Sequence, residues 1–139
     1  SQGKMVKWGV ISTGTISKAF CDSIRYSKEG KLVAVASRSS KNLKHFSDKY
    51  GVATYDSYDA LLNDSAIDAI YIGTPHNSHF DLSLKTLRCG KHLLCEKPMT
   101  MNSTEAMILL NEARRLNLFF KTIYFFMFSN HMPFLVCSS

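Results

Sequence analysis

Alternating strand and helix signals joined by short connections predict a doubly wound α/β domain, a parallel sheet with helices on both faces. Leu32–Ser37 (LVAVAS) is a continuous apolar run, the mark of a strand buried on both sides. Segments with apolar residues at helical spacing separate it from similar short runs. The 139 residues suffice for one domain with a buried core, and they contain no internal repeat or low-complexity linker.

Each element has a local reason. Lys7–Thr13 (KWGVIST) is apolar and β-branched, and a helix is expected from about Thr15 to Tyr26. After the strand Leu32–Ser37, Leu43, Phe46 and Tyr50 lie at helical spacing within Asn42–Tyr50, with Gly51 placed to close that helix. Val52–Tyr55 reads as a short strand, Tyr58–Leu62 as a short helix and Asp68–Gly73 (DAIYIG) as a fourth strand. His79–Arg88 is a helix closed by Gly90, and His92–Cys95 (HLLC) is a fifth strand. Ser103–Leu116 sets Ala106, Leu109, Leu110 and Ala113 along one helix face, with Ser103 or Thr104 available as the cap. Leu118–Phe128 (LFFKTIYFFMF) suits a sixth strand, whereas Ser129–Ser139 matches no helix or strand period and is expected to pack poorly.

Composition narrows the function classes. A hydrophobic content of 45% with 20% charged residues fits a soluble globular chain. The net charge of +6 is spread over Lys4, Lys7, Lys18, Arg25, Lys41, Lys44, Lys91 and Arg114 as solvated surface, so no nucleic-acid partner is expected. Cys21, Cys89, Cys95 and Cys137 form no C-x-x-C pair and suit reduced thiols in the cytoplasm. Ser1–Lys4 has no apolar signal region, and the run after Leu118 is broken by Lys121 and too short to cross a bilayer, so no membrane partner is expected.

Four segments carry chemistry. In Gly9–Ser17 (GVISTGTIS) a strand turns into a helix through Ser12, Gly14 and Ser17, at the spacing of a dinucleotide-binding fingerprint. Only the middle glycine is kept, at the position where any side chain would collide with a pyrophosphate. Ser37-Arg38-Ser39-Ser40-Lys41 follows the second strand, and Arg38 stands 24 residues past Gly14, where an NAD site commonly has an acid. A guanidinium with hydroxyls suits a ribose 2′-phosphate, which points to NADP over NAD. Gly73-Thr74-Pro75-His76-Asn77-Ser78-His79 follows the fourth strand; its H-x-x-H spacing lacks a nearby carboxylate or cysteine partner, so it is read as lining the nicotinamide ribose and not as a metal site. Cys95-Glu96-Lys97-Pro98 ends the fifth strand, at the sheet edge where ligands bind. There the Lys97 ammonium can donate to a substrate hydroxyl or carbonyl. Partial desolvation and a nicotinamide cation would ease its proton exchange, and Pro98 holds its backbone extended.

In this order, W-G-V-I-S-T-G-T-I-S, V-A-V-A-S-R-S, Y-I-G-T-P-H-N-S-H and L-C-E-K-P-M-T-M-N resemble the Gfo/Idh/MocA oxidoreductase family over roughly Met5–Phe120. The resemblance implies a Rossmann NAD(P)-binding domain over residues 1–120. Ser12, Thr13, Gly14, Thr15 and Ile16 would hold the pyrophosphate, and Ser37 and Arg38 the adenosine phosphate. Thr74, Pro75, His76, Asn77 and His79 would neighbour the nicotinamide half. Glu96 and Lys97 would also bind the cofactor, with Lys97 catalytic and no metal. The implied reaction passes hydride from a secondary hydroxyl of a sugar or trans-dihydrodiol to NADP.

Family members continue into a second α/β domain that supplies further acid–base groups, substrate contacts and the homodimer interface. Here residues 121–139 are expected as an atypical apolar tail with that substrate domain absent. The chain is therefore expected to be truncated, to bind cofactor without turnover and to lack the family's dimer. The alternative from another class is a non-catalytic module that senses NADP(H).

Overall fold

Strand β1 (Val6–Ile11) runs parallel between β2 (Gly30–Ala36) and β4 (Ala69–Ile72) in the computed structural model, which describes residues 5–74, 79–96, 102–126 and 134–138. With β3 (Ala53–Tyr55), β5 (His92–Glu96), β6 (Phe120–Phe126) and β7 (Phe134–Ser138), the sheet order is β3-β2-β1-β4-β5-β6-β7. The first six strands are parallel, and β7 returns antiparallel to β6. The expected doubly wound parallel sheet is what the chain forms.

Alternation along the central strands divides the core into two layers. Val10, Val35, Tyr71 and Leu94 point to one face, where they meet Phe20 and Cys21 of α1 (Thr15–Ile24) and Leu43 and Phe46 of α2 (Ser40–Tyr50). Ile11, Ala36, Ile70, Ile72, Leu93 and Cys95 point to the other. That layer is closed by α3 (Tyr58–Leu62), α4 (His79–Arg88) and α5 (Ser103–Arg115) through Leu61, Leu82, Leu87, Leu109 and Ala113. Parallel strands buried on both sides need apolar residues at every position, which is why β4 is buried along its whole length.

Helix ends follow their capping chemistry. Ser39 and Ser57 accept the Asn42 and Ala60 N–H groups at 3.3 and 3.2 Å, starting α2 and α3. Gly51 closes α2 in the left-handed region at φ 66. The cap of α5 is Asn102, not Ser103 or Thr104. Its side chain accepts the Glu105 N–H at 2.9 Å while the Glu105 carboxylate accepts the Asn102 N–H at 3.2 Å. Only a cap three residues before Glu105 closes that reciprocal box.

Two further expectations change. Phe134–Ser138 forms a strand where no period was legible, because five residues pairing with an edge need no two-sided pattern. Lys91, counted among the solvated lysines, is only 6% exposed. Its ammonium donates to the carbonyls of Asp64 and Ile67, each at 2.6 Å, and so ties the α3–β4 connection to the start of β5.

Lys91→Met keeps the aliphatic stem but takes the ammonium away from both carbonyls, leaving Asp64 O with the Ile67 N–H alone at 3.2 Å. It should lower unfolding free energy by roughly 1–3 kcal/mol. Urea unfolding checks this, and a midpoint equal to that of the original chain would show that the carbonyls do not depend on Lys91.

Candidate functional site

Sheet order reverses between β1 and β4, and at such a switch point the connections diverge and open a crevice at the carboxyl ends of the strands. The turns after β1, β2 and β4 border it.

Aromatic packing seats α1 beside this crevice. The Phe20 ring stacks on Tyr71 of β4 with centroids 4.3 Å apart and planes within 1°, and Trp8 meets it edge-on at 5.3 Å. About one turn earlier, Ser17 is fully buried against Gly73. A Cβ at residue 73 would overlap Ser17 Oγ and lie 3.1 Å from the Tyr71 ring. The third fingerprint position therefore serves close packing of helix on sheet.

The start of α1 is left open. Gly14 is its N-cap and offers no side-chain bond, and the first turn carries no acid. The first helical bond runs from Lys18 N–H to Gly14 carbonyl at 3.0 Å. The N–H groups of Thr15, Ile16 and Ser17 are thus without intrahelical acceptors at the positive end of the helix dipole. Gly14 has an ordinary φ of −75°, and a Cβ there would meet nothing nearer than Ser12 Oγ at 3.8 Å. Among the described residues nothing requires glycine at 14; close approach by a ligand would. Ser12 takes the left-handed backbone, φ 96, at the first fingerprint position. Its N–H bonds the Ala36 carbonyl at 2.9 Å, and its hydroxyl accepts the Gly14 N–H at 3.3 Å.

Hydroxyls brace the neighbouring turns. Thr13 Oγ1 and Ser37 Oγ share a buried hydrogen bond of 3.0 Å, Asn42 donates to Thr13 Oγ1 at 3.1 Å, and Ser37 Oγ accepts the Ser39 N–H at 3.1 Å. The structure thus joins Thr13 and Ser37 to each other, holding the turns after β1 and β2 at a fixed separation. Beyond them Arg38 is exposed, its guanidinium 5.3 Å from the Tyr58 ring centroid. Both line a cleft of about 500 Å³ with Asp59, Asp81 and Lys85. Asp59 is engaged by Lys85 at 2.5 Å, and no carboxylate among the described residues pairs with Arg38.

On the β4 side, His79 begins α4 and is 3% exposed, with Nε2 against the Thr74 carbonyl. His79 Nδ1, Thr74 Oγ1 and Ser17 Oγ are buried polar atoms without a partner among the described residues. Such atoms cost roughly 1–3 kcal/mol each unless a ligand or solvent group meets them. An open helix start, a glycine free of protein neighbours, an unclaimed guanidinium and these hydroxyls together fit a phosphate-bearing dinucleotide. Pro75, His76, Asn77 and Lys97 lie outside the described residues. Glu96, the last residue of β5, pairs through its backbone with Ile123 of β6.

Neither Cys95 nor Cys21, both buried, is poised as a thiolate. Burial pushes the Cys95 thiol up to about 12, and it sits 3.4 Å from Ser83 Oγ; Cys21 is likewise raised to about 12 by burial. No three His, Cys, Asp or Glu side chains among the described residues come together as a metal site. A larger cleft of about 740 Å³, lined by Met5, Asp68, Gly90 and His92 among others, lies at the opposite edge, where the strands begin.

The Gfo/Idh/MocA oxidoreductase family, NAD-binding Rossmann fold, matches residues 6–124. The chain belongs to this family. It is 40% identical over 116 residues to trans-1,2-dihydrobenzene-1,2-diol dehydrogenase of Xenopus laevis, covering 81% of this chain and 35% of that protein. It is 34% identical over 131 residues to the D-xylose 1-dehydrogenase (NADP(+)) of Hypocrea jecorina, covering 82% of this chain and 32% of that enzyme. Among solved structures, a 3-ketoreductase from Actinomadura kijaniata in complex with NADP and TDP-benzene aligns with a TM-score of 0.81 and 30% identity, over 86% of this chain and 37% of that one. The chain spans about a third of the length of the curated relatives it matches.

Within this Gfo/Idh/MocA domain, sequence reasoning missed Asn42, Tyr58 and Gly73. Gly73 was legible as the end of a strand, but its contact with Ser17 spans 56 positions and leaves no local signal.

Gly73→Ala should destabilise the domain by roughly 1–3 kcal/mol through overpacking. Adding Ser17→Ala removes the overlapping hydroxyl and should recover most of that loss in a double-mutant cycle. Additive effects in urea unfolding would show that the two positions are not in contact.

Proposed function

We propose that this chain is the NADP-binding domain of a dehydrogenase that oxidises a secondary hydroxyl of a sugar or trans-dihydrodiol. The observation that carries the reading is Arg38, which stands unpaired with any described carboxylate at the end of β2, where an NAD site has an acid. The Xenopus laevis and Hypocrea jecorina relatives support the substrate class, and the latter is named for NADP(+).

The chain's own residues divide the work. The free backbone N–H groups of Thr15 and Ile16 would receive the pyrophosphate at the open start of α1, with Gly14 leaving room for its close approach. Ser12 shapes that turn, and Thr13 and Ser37 fix its distance from Arg38, which would take the 2′-phosphate through forked, charge-assisted bonds. Thr74 and His79, with Pro75, His76 and Asn77 between or beside them in sequence, would bound the nicotinamide half. Lys97 follows the last residue of β5 and would hold or move the proton of the substrate hydroxyl. When bound, the cofactor supplies the hydride acceptor.

Because the matched part is 35% of the Xenopus laevis relative, these 139 residues alone are expected to bind cofactor without steady dehydrogenase turnover. Robust oxidation of diols or pentoses by this chain would overturn that part of the reading.

Calorimetric titration tests the cofactor assignment. NADP should bind more tightly than NAD, and Arg38→Asp should weaken NADP roughly ten- to hundredfold by removing charge-assisted bonds and adding repulsion. Gly14→Val should abolish binding without unfolding the chain, since its side chain meets open space. Ser12→Gly should bind normally, because φ 96 suits glycine, and Lys97→Met should bind NADP nearly as well as the original chain. Equal affinity for NAD and NADP would show that Arg38 does not read a phosphate.

A further inference from the structure

We propose that Tyr58 sets the preference for a dinucleotide bearing a ribose 2′-phosphate, as a positioning residue acting through Arg38. The proposal rests on the reading of Arg38 as the residue that takes that phosphate.

An exposed arginine has many rotamers, and capturing a phosphate requires it to give them up. Arg38 is already gathered: its guanidinium lies over the Tyr58 ring, 5.3 Å from the centroid, within the range of a cation–π contact. A guanidinium resting on a ring keeps its N–H edge available, so the stack orients the fork without consuming the donors. The ring itself is held. Tyr58 is the first residue of α3, directly after the Ser57 cap, and its half-buried side chain packs against the core layer of Leu61 and Leu82.

Three carboxylates, Asp56, Asp59 and Asp81, line the cleft with Arg38, and none of them forms an ion pair with its guanidinium. Asp59 lines the same cleft and would compete with a phosphate for Arg38, but Lys85 of α4 engages it at 2.5 Å. The aromatic face therefore holds the guanidinium where a carboxylate would have neutralised it. A phosphomonoester gains from this arrangement, whereas a ribose with a free 2′-hydroxyl offers no charge for it to act on.

Dissociation constants for NADP and NAD, measured on the full 139-residue chain carrying Tyr58→Phe, Tyr58→Leu or Arg38→Ala, test the proposal. Tyr58→Phe keeps the ring and should leave the NADP-to-NAD preference unchanged. Tyr58→Leu should reduce NADP affinity roughly two- to fivefold with NAD affinity unaltered. Circular dichroism verifies folding, and Tyr58→Gln replaces the Leu variant if that one does not fold. An unchanged preference in the non-aromatic variants overturns the proposal. So does an equal loss for both dinucleotides, which is what a purely structural role for the ring would produce. If Arg38→Ala itself leaves NADP binding intact, the reading of Arg38 fails first and this proposal falls with it.

Discussion

Everything at the crevice depends on how closely α1 sits over β4. The approach is fixed at two levels of the helix, by Phe20 stacked on Tyr71 and by Ser17 buried against a residue with no side chain, Gly73. A bulkier residue at either of the lower pair would lift the first turn of the helix. That turn carries the exposed N–H groups and Gly14, so lifting it would move the anion-attracting end of α1 away from the switch point. Packing in the core thus sets the geometry of the polar edge. The hydroxyl bond between Thr13 and Ser37 does the same laterally, fixing the turn after β1 relative to Arg38.

Charge is used selectively on this framework. Lys85 is spent on Asp59, Arg88 and Arg115 on Glu112, and Lys91 is buried on backbone carbonyls, where its role is to satisfy acceptors. Arg38 differs from these in meeting an aromatic ring instead of an acid. A net charge of +6 says little by itself. What distinguishes the crevice is one guanidinium left available near an uncapped helix start, in a region where protein dipoles already favour an anion.

Most of the fold was legible because its signals are local. Buried parallel strands write continuous apolar runs, as in LVAVAS, and helices announce themselves through spacing and through Ser39, Ser57 and Gly51 at their ends. Three adjacent capping-type residues, Asn102, Ser103 and Thr104, blurred the start of α5 until the partner Glu105 is considered. The strand Phe134–Ser138 left no pattern, since its partner rather than its own period defines it. At the site, Ser12, Gly14, Ser17 and Arg38 stood out by spacing alone. The contacts that organise them did not: Asn42 on Thr13, Gly73 on Ser17 and Tyr58 under Arg38 join residues 20 to 56 positions apart. Lys91 was misjudged because a lysine in sequence carries no mark of the distant carbonyls it serves.

A phosphate-bearing dinucleotide is expected to bind at the carboxyl-end crevice between β1 and β4. Amide chemical-shift mapping of this 15.7 kDa chain during titration with NADP tests it most directly. The largest shifts are expected at Ser12–Ser17, Ser37–Asn42, Gly73, Thr74 and His79, with little change around Met5, Asp68 and His92 at the opposite edge. Shifts concentrated in that opposite cleft, or none at saturating NADP, would contradict it.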